Sequence, residues 1–234
     1  MILRVVERAL SARNVARAIV ATDDQRILEV VRAAGYEAVM TAASHQSGSD
    51  RLAEVAAGLD DADIIVNLQG DEPLISPRTI ELAIDCLLND DEAMIATTCE
   101  PIHTAADVLS HDVVKVVTDD AGRALYFSRA PVPFPRDAVQ RHGTLAAALT
   151  SEPQLVRLFR KHTGLYVYRR GFLLEYANWP PSALERTEAL EQLRALERGA
   201  IIRVIETSEP SIGVDTAEDL ERVRAIMGEV NGDK

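Results

Sequence analysis

No apolar run in this 234-residue chain approaches the ~20 residues that cross a bilayer, and its first residues lack the order of a signal peptide. Neither a membrane span nor secretion is expected. Cysteine is scarce: Cys86 and Cys99 stand alone, without metal-ligand spacing. Two reduced, buried thiols in a cytoplasmic protein are the expectation. Basic charge is also short, because 25 Lys and Arg against 37 Asp and Glu leave a formal net charge of −12. That field argues against a nucleic-acid partner. An anionic small ligand fits only where local arginines, lysines or a metal ion overcome it. Internal repeats and low-complexity tracts are missing as well. What is present, 47% hydrophobic and 26% charged residues, suffices for the core of one large α/β domain.

The chain opens with MILRVVERAL, where Ile2, Leu3, Val6, Ala9 and Leu10 recur at helical spacing. Ala18–Ala21 then reads as a short buried strand, and Thr22-Asp23-Asp24 as the cap of a helix from Gln25 to Ala34. The sequence therefore begins on a crossover helix with no strand before it. Further strands are expected at Tyr36–Met40, Ile64–Leu68 and Ala93–Cys99, with helices at Ser49–Leu59 and Pro77–Leu88 between them. Alternation at this pitch predicts βαβ units and a mostly parallel sheet. The centre differs: Val113–Val117 and Arg123–Tyr126 flank Thr118–Gly122 as a hairpin, and residues 130 to 155 read as irregular and proline-bearing. A strand at His162–Tyr168, helices at Phe172–Tyr176 and Arg186–Arg198, a strand at Ile201–Ile205 and a helix from Ala217 complete the pattern. An inserted flap in one sandwich fits best.

Several polar clusters sit where chemistry is possible. Gln69-Gly70-Asp71-Glu72-Pro73 directly follows a buried strand, the position where open parallel sheets bind ligands. Gly70 permits close backbone approach there, and Asp71 offers a carboxylate; a solvated turn is the plainer reading. Asp215, in Gly213-Val214-Asp215-Thr216, is an N-cap on its own. If its loop meets that of Asp71, the two make a Mg²⁺ site, since this hard ion takes one or two carboxylates and fills the rest with water and phosphate. Ser47-Gly48-Ser49-Asp50-Arg51 enters a helix with free N–H groups suited to an anion, with Arg51 on the first turn. Arg129, after the strand Leu125–Phe127, suits a carboxylate. His162, Tyr166 and Gln192 can read sugar hydroxyls, though a histidine at a strand start is more often structural. The sequence names no general base.

Taken together, VATDD, HQSGSDRLAEV, VNLQGDEPLI, VVKVV, ALYFSRAPVP, HTGLYVYRRGFL, NWPPSALERTEALEQLR and GVDTAEDLERVR resemble, in order, the 3-deoxy-manno-octulosonate (Kdo) cytidylyltransferases of lipopolysaccharide synthesis. The resemblance runs from Met1 to about Met227. It implies a three-layer α/β/α sandwich of the nucleotide-diphospho-sugar-transferase type. One domain over residues 1–234 is expected, with a dimerisation flap at about 128–165 in a homodimer. It implies the reaction of CTP with Kdo to give CMP-Kdo and pyrophosphate. On the matching positions, Asp71 and Asp215 become Mg²⁺ ligands, Arg51, Gln69 and Gly70 CTP contacts, and Arg129, His162, Tyr166 and Gln192 the sugar-acid pocket. Arg129, Asp71 and Asp215 are the catalytic candidates.

Members of that family begin with a strand and an Arg- and Ser-containing loop that ends Leu-Pro-Gly-Lys-Pro and cradles the CTP phosphates. Met1 aligns just beyond that loop, so little turnover is expected from residues 1–234 alone. Losing one preorganised donor typically costs ~10²–10³ in rate. Competing readings are a cytidylyltransferase for a related acid, such as 8-amino-Kdo or a sialic acid, and a non-catalytic dimeric scaffold or nucleotide sensor.

Overall fold

The computed structural model describes the backbone of every residue except Gln46, Pro210, Ser211, Asp215, Asp233 and Lys234, and side chains through Ile226. Its strands are β1 (Ile19–Thr22), β2 (Glu37–Met40), β3 (Ile64–Asn67), β4 (Ala93–Pro101), β5 (Lys115–Thr118), β6 (Ala124–Ser128), β7 (Arg160–Arg169) and β8 (Ile201–Glu206). The chain forms two compact units. The first comprises Met1–Asp85, Leu165–Asn178 and Glu209–Lys234; the second comprises Cys86–Gly164 and Trp179–Ser208.

In the first unit β1 and β2 pair in parallel, Ile19 with Glu37 through Thr22 with Met40. The helix that joins them, Gln25–Ala33, is capped by Asp24, whose side chain accepts the Arg26 N–H. The opening helix Ile2–Leu10 buries Val5, Val6 and Ala9. Val6 packs with Val20, Leu28, Val31 and Ala38, and Ile2 and Leu3 lie partly buried against them, whereas Leu10 is exposed and Val5 takes a buried place the spacing did not assign it. Beyond it, the Arg13 guanidinium grips Glu81 at 3.0 and 2.7 Å, and its backbone N–H adds a third bond at 3.0 Å. β3 runs antiparallel to the Leu165–Arg169 part of β7, with Asn67 opposite Tyr166 and Ile64 opposite Arg169.

The second unit holds the strand order β6-β5-β7-β4-β8, to which β7 contributes Arg160–Gly164. β4 and β8 are parallel, from Ala93 opposite Ile201 to Cys99 opposite Glu206. β5 and β6 form the expected antiparallel hairpin. At its turn Gly122 takes φ +76°, while the Asp119 carboxylate accepts the N–H groups of Ala121 and Arg123.

Three expectations need correction. The pairing is mixed rather than mostly parallel: β1/β2 and β4/β8 are parallel, whereas β3/β7, β5/β6 and β5/β7 are antiparallel. A tight turn joins only antiparallel strands, and β7 returns from the inserted segment against β3. Residues 130 to 155 are largely helical, with helices at Arg136–His142 and Leu145–Ser151 and a 3₁₀ turn at Pro153–Leu158. Their prolines precede or start helical turns instead of breaking them, and Thr144 caps the second helix through the Ala147 N–H. Leu149, Val156 and Phe159 from this segment join Ile102 and Val108 in a satellite core. Finally, Arg186–Arg198 is two helices, Ala183–Glu188 and Gln192–Glu197, parted at Ala189 with φ +52° and ψ +50°.

Candidate active site

In the first unit, polar groups collect where β1, β2 and β3 end. Ser47 caps the helix Gly48–Ala57 through the Asp50 N–H, which fixes the first turn that carries Arg51. The Arg51 guanidinium reaches Thr41 Oγ1 at 2.5 Å, just past β2, and Asp23 Oδ2 at 3.0 Å, just past β1. That hydrogen bond to Arg51 holds the Asp23 carboxyl below the usual carboxylate range. Arg51 is thus tethered across two strand ends instead of waving from a solvated helix face. After β3, Gln69 and Gly70 are exposed and Asp71 is half-buried. A side chain at Gly70 would place its Cβ 3.3 Å from Ile2 Cδ1, so the Ile2 side chain would have to give by a few tenths of an ångström.

The Asp71 carboxylate has neither hydrogen bond nor ion pair among the described residues. Its backbone carbonyl, however, accepts the Val214 N–H at 2.9 Å. The residue after Val214 is Asp215, which lies outside the described residues. The two loops therefore meet one residue short of the second predicted metal ligand. Such a donor set, one free carboxylate beside a loop bearing another, suits Mg²⁺, which binds by one or two carboxylates and leaves its other positions to water and phosphate. Among the described residues no group of three or more His, Cys, Asp or Glu gathers, as a transition-metal site would require.

Tyr166, on β7, belongs to the first unit also. It heads an aromatic column: Tyr166 stacks on Tyr168 at 5.8 Å, Tyr168 on Tyr176 at 6.4 Å, and Tyr176 on Phe172 at 5.8 Å. Stacking of this kind leaves the Tyr166 ring little rotational freedom.

The other candidates lie in the second unit. His162 Nε2 is 2.9 Å from Thr97 Oγ1, and its ring meets Phe127 edge-on at 5.0 Å. Burial pushes its pKa down to about 3, so the imidazole is neutral at physiological pH. Gln192 is 5% exposed, and its Nε2 is buried with no hydrogen-bond partner among the described residues. An orphaned buried donor is rare and marks a place where an acceptor is expected from elsewhere. Arg129 donates from Nε to Glu188 O at 2.7 Å, from Nη1 to His111 O at 3.1 Å and from Nη2 to Ala189 O at 3.3 Å. Two of its five N–H groups are left for a ligand.

Residues 1–207 match the family described as cytidylyltransferase. The chain belongs to the cytidylyltransferase family. This cytidylyltransferase is 52% identical over 227 residues to the 3-deoxy-manno-octulosonate cytidylyltransferase of Trichlorobacter lovleyi, covering 97% of this chain and 88% of that protein. It is 52% identical over 223 residues to the protein of that name from Geobacter sulfurreducens, covering 95% and 87%. Among solved structures it superposes on a CMP:2-keto-3-deoxy-manno-octonic acid synthetase complexed with CTP, with a TM-score of 0.85, 41% identity, and 97% and 87% of the two chains covered. A 4-diphosphocytidyl-2C-methyl-D-erythritol synthase from Anaerococcus prevotii shares the fold at 14% identity and a TM-score of 0.57, covering 97% and 89%. The three-layer α/β/α nucleotidyltransferase architecture read from the sequence is therefore the one this cytidylyltransferase has.

Sequence reasoning passed over several groups that hold the candidates in place. Asp23 and Thr41 tether Arg51, yet they read as a cap and a loop residue. Thr97, a polar residue inside the apolar run of β4, was the available signal for the partner of His162. Glu188 reads as a solvated helical position, and nothing in its neighbourhood announces otherwise.

Proposed function

We propose that this protein transfers the cytidylyl group of CTP to Kdo, releasing pyrophosphate and giving CMP-Kdo for lipopolysaccharide synthesis. The observation that carries the reading is the Asp71 loop: a carboxylate without a partner among the described residues, at the carboxyl end of β3, bonded through its backbone to the loop that leads to Asp215. Relatives of this chain at about half identity bear the name of that reaction. Asp71 and Asp215 would hold Mg²⁺, which when bound supplies neutralisation of charge on the triphosphate.

Arg51 adds a fixed cation near the nucleotide, and Gly70 lets backbone approach it closely. Toward the sugar acid, Gln192 offers an unused amide donor. His162 offers a neutral ring, and Tyr166 a phenol held by its stacked neighbours. Arg129 keeps two N–H donors for a carboxylate. The sugar's anomeric hydroxyl attacks the α-phosphorus in line and gives its proton to water, and pyrophosphate leaves opposite. We read the protein as a cytoplasmic homodimer that pairs through the inserted segment; support for the pairing comes from Phe134 and Leu158 in that segment, which are 60% and 50% exposed. No helix among the described residues is long and apolar enough to cross a membrane.

Pyrophosphate release that requires CTP, Kdo and Mg²⁺ together tests the proposal, alongside calorimetry with each substrate. A chain that binds neither CTP nor Kdo would be a scaffold, and the reading would fall.

A further inference from the structure

We infer that Glu188 is a positioning residue for sugar-acid recognition, clasping the Ser128–Arg129 backbone to the turn that launches the Gln192 helix. The inference rests on the proposed function above, because Gln192 and Arg129 matter only if they meet the sugar acid.

The clasp is reciprocal. One Glu188 carboxylate oxygen, Oε1, accepts the Ser128 hydroxyl at 2.8 Å and the Tyr126 hydroxyl at 3.4 Å. The other, Oε2, accepts the Arg129 backbone N–H at 2.9 Å. In return the Arg129 guanidinium holds the carbonyls of Glu188 and Ala189. The opposite end of the Arg129 peptide is fixed as well. Lys115, one of only three lysines in the chain and fully buried, donates to the carbonyls of Arg129 at 2.7 Å, Ser110 at 2.7 Å and Val113 at 2.6 Å.

What the clasp secures is an unusual turn. Ala189 is the one non-glycine residue with positive φ among the described residues, a conformation that alanine keeps only when its surroundings impose it. Three residues later Gln192 starts the next helix with its amide donor buried and unpaired. The direction of that helix, and so the aim of the Gln192 amide, depends on the turn that Glu188 and Arg129 hold together. A carboxylate accepts all three donors on its two oxygens. A glutamine amide has a single oxygen for the Arg129 N–H, and its NH₂ would be satisfied only if the Ser128 and Tyr126 hydroxyls turned from donors into acceptors. Glu188 therefore acts through Gln192 and Arg129 without touching substrate itself.

The test is Glu188→Gln in the full chain, titrated calorimetrically with Kdo and separately with CTP. The expected result is a Kdo dissociation constant raised about tenfold or more, with CTP affinity within about twofold of the parent. Ser128→Ala, which removes one donor to the same carboxylate, is expected to weaken Kdo binding about threefold and leave CTP binding alone. It decides the matter if Glu188→Gln does not fold. Unchanged Kdo affinity would overturn the inference, and so would a parallel loss of CTP and Kdo affinity. If the parent chain binds CTP but no Kdo, the proposed substrate is wrong and this inference goes with it. If the parent binds Kdo and the variants bind it equally well, only this inference fails.

Discussion

Charged groups in the first compact unit are tied together while remaining partly in water, whereas the second unit takes several of its polar groups out of it. Arg51 and Asp23 bond with side chains 22% and 42% exposed, and Arg17 and Glu37 with side chains 49% and 53% exposed. In the second unit the Arg194–Glu185 pair is 5% and 11% exposed, Lys115 is fully buried, and His162 is held neutral. The difference suits the two substrates proposed for the protein. A nucleoside triphosphate brings several charges and its own counter-ion, so tethered cations and a free carboxylate near water serve it well. A sugar acid is distinguished by hydroxyl positions, and buried donors or acceptors that lack a partner discriminate strongly between hydroxyl patterns.

The comparison breaks most visibly if stability does not follow burial. Arg194→Met leaves the Glu185 carboxylate buried and unpaired, and is expected to cost about 3–5 kcal/mol by urea unfolding. Arg17→Met breaks a pair whose side chains are both about half exposed, 49% and 53%, and is expected to cost clearly less. Equal losses would erase the contrast. The next largest effect is expected at the nucleotide. Asp71→Asn should weaken CTP binding in the presence of Mg²⁺ about tenfold or more, equivalent to ~1.4 kcal/mol, and leave Kdo affinity unchanged. Calorimetry reads both. CTP affinity that responds to Mg²⁺ as strongly in the variant as in the parent would exclude Asp71 as a metal ligand.

How far the sequence could be read follows from the range of the forces involved. β3, β8 and the helix at Pro77–Leu88 were legible because each is a local apolar pattern bounded by turn residues. The antiparallel run of β7 was not, because its partner lies far away in sequence: Asn67 meets Tyr166. The helices between Arg136 and Ser151 were hidden by prolines, which start helices as readily as they interrupt strands. The break at Ala189 left no mark, since alanine announces neither a cap nor a positive φ. The candidate site divides the same way. Asp71 and Arg51 sit at strand ends, where position alone suggests a ligand. The tethers of Arg51 and the clasp of Glu188 are long-range contacts between residues that each look ordinary in their own stretch. Gln192 reads in the sequence only as a polar group able to meet sugar hydroxyls, and its amide, without a partner among the described residues, is a property only the folded chain has.

The last effect expected concerns His162, and it tests whether burial in the second unit holds this imidazole neutral. The imidazole has a pKa of about 3 in the folded chain against an ordinary value of 6.5. Between those values the unfolded chain binds a proton that the folded chain does not, so stability rises with pH across that window and falls on acidification below 6.5. The slope for one such group is at most about 1.4 kcal/mol per pH unit, or about 2 kcal/mol at pH 5. Part of the residue stays accessible, so the observed value should fall below that ceiling. The carboxylates with the deepest shifts, Glu81 and Asp24, lie at about 2 and lose their contribution below their unfolded values, under pH 4.5. The interval from pH 6.5 to 5 therefore reports chiefly on histidine. His162→Gln can keep a hydrogen bond to Thr97 but cannot titrate. Urea unfolding of parent and variant at pH 7, 6 and 5 should show a shallower loss in the variant. Identical slopes would mean that His162 takes up its proton in the folded chain, and the second unit would lose its clearest example of a group held out of water.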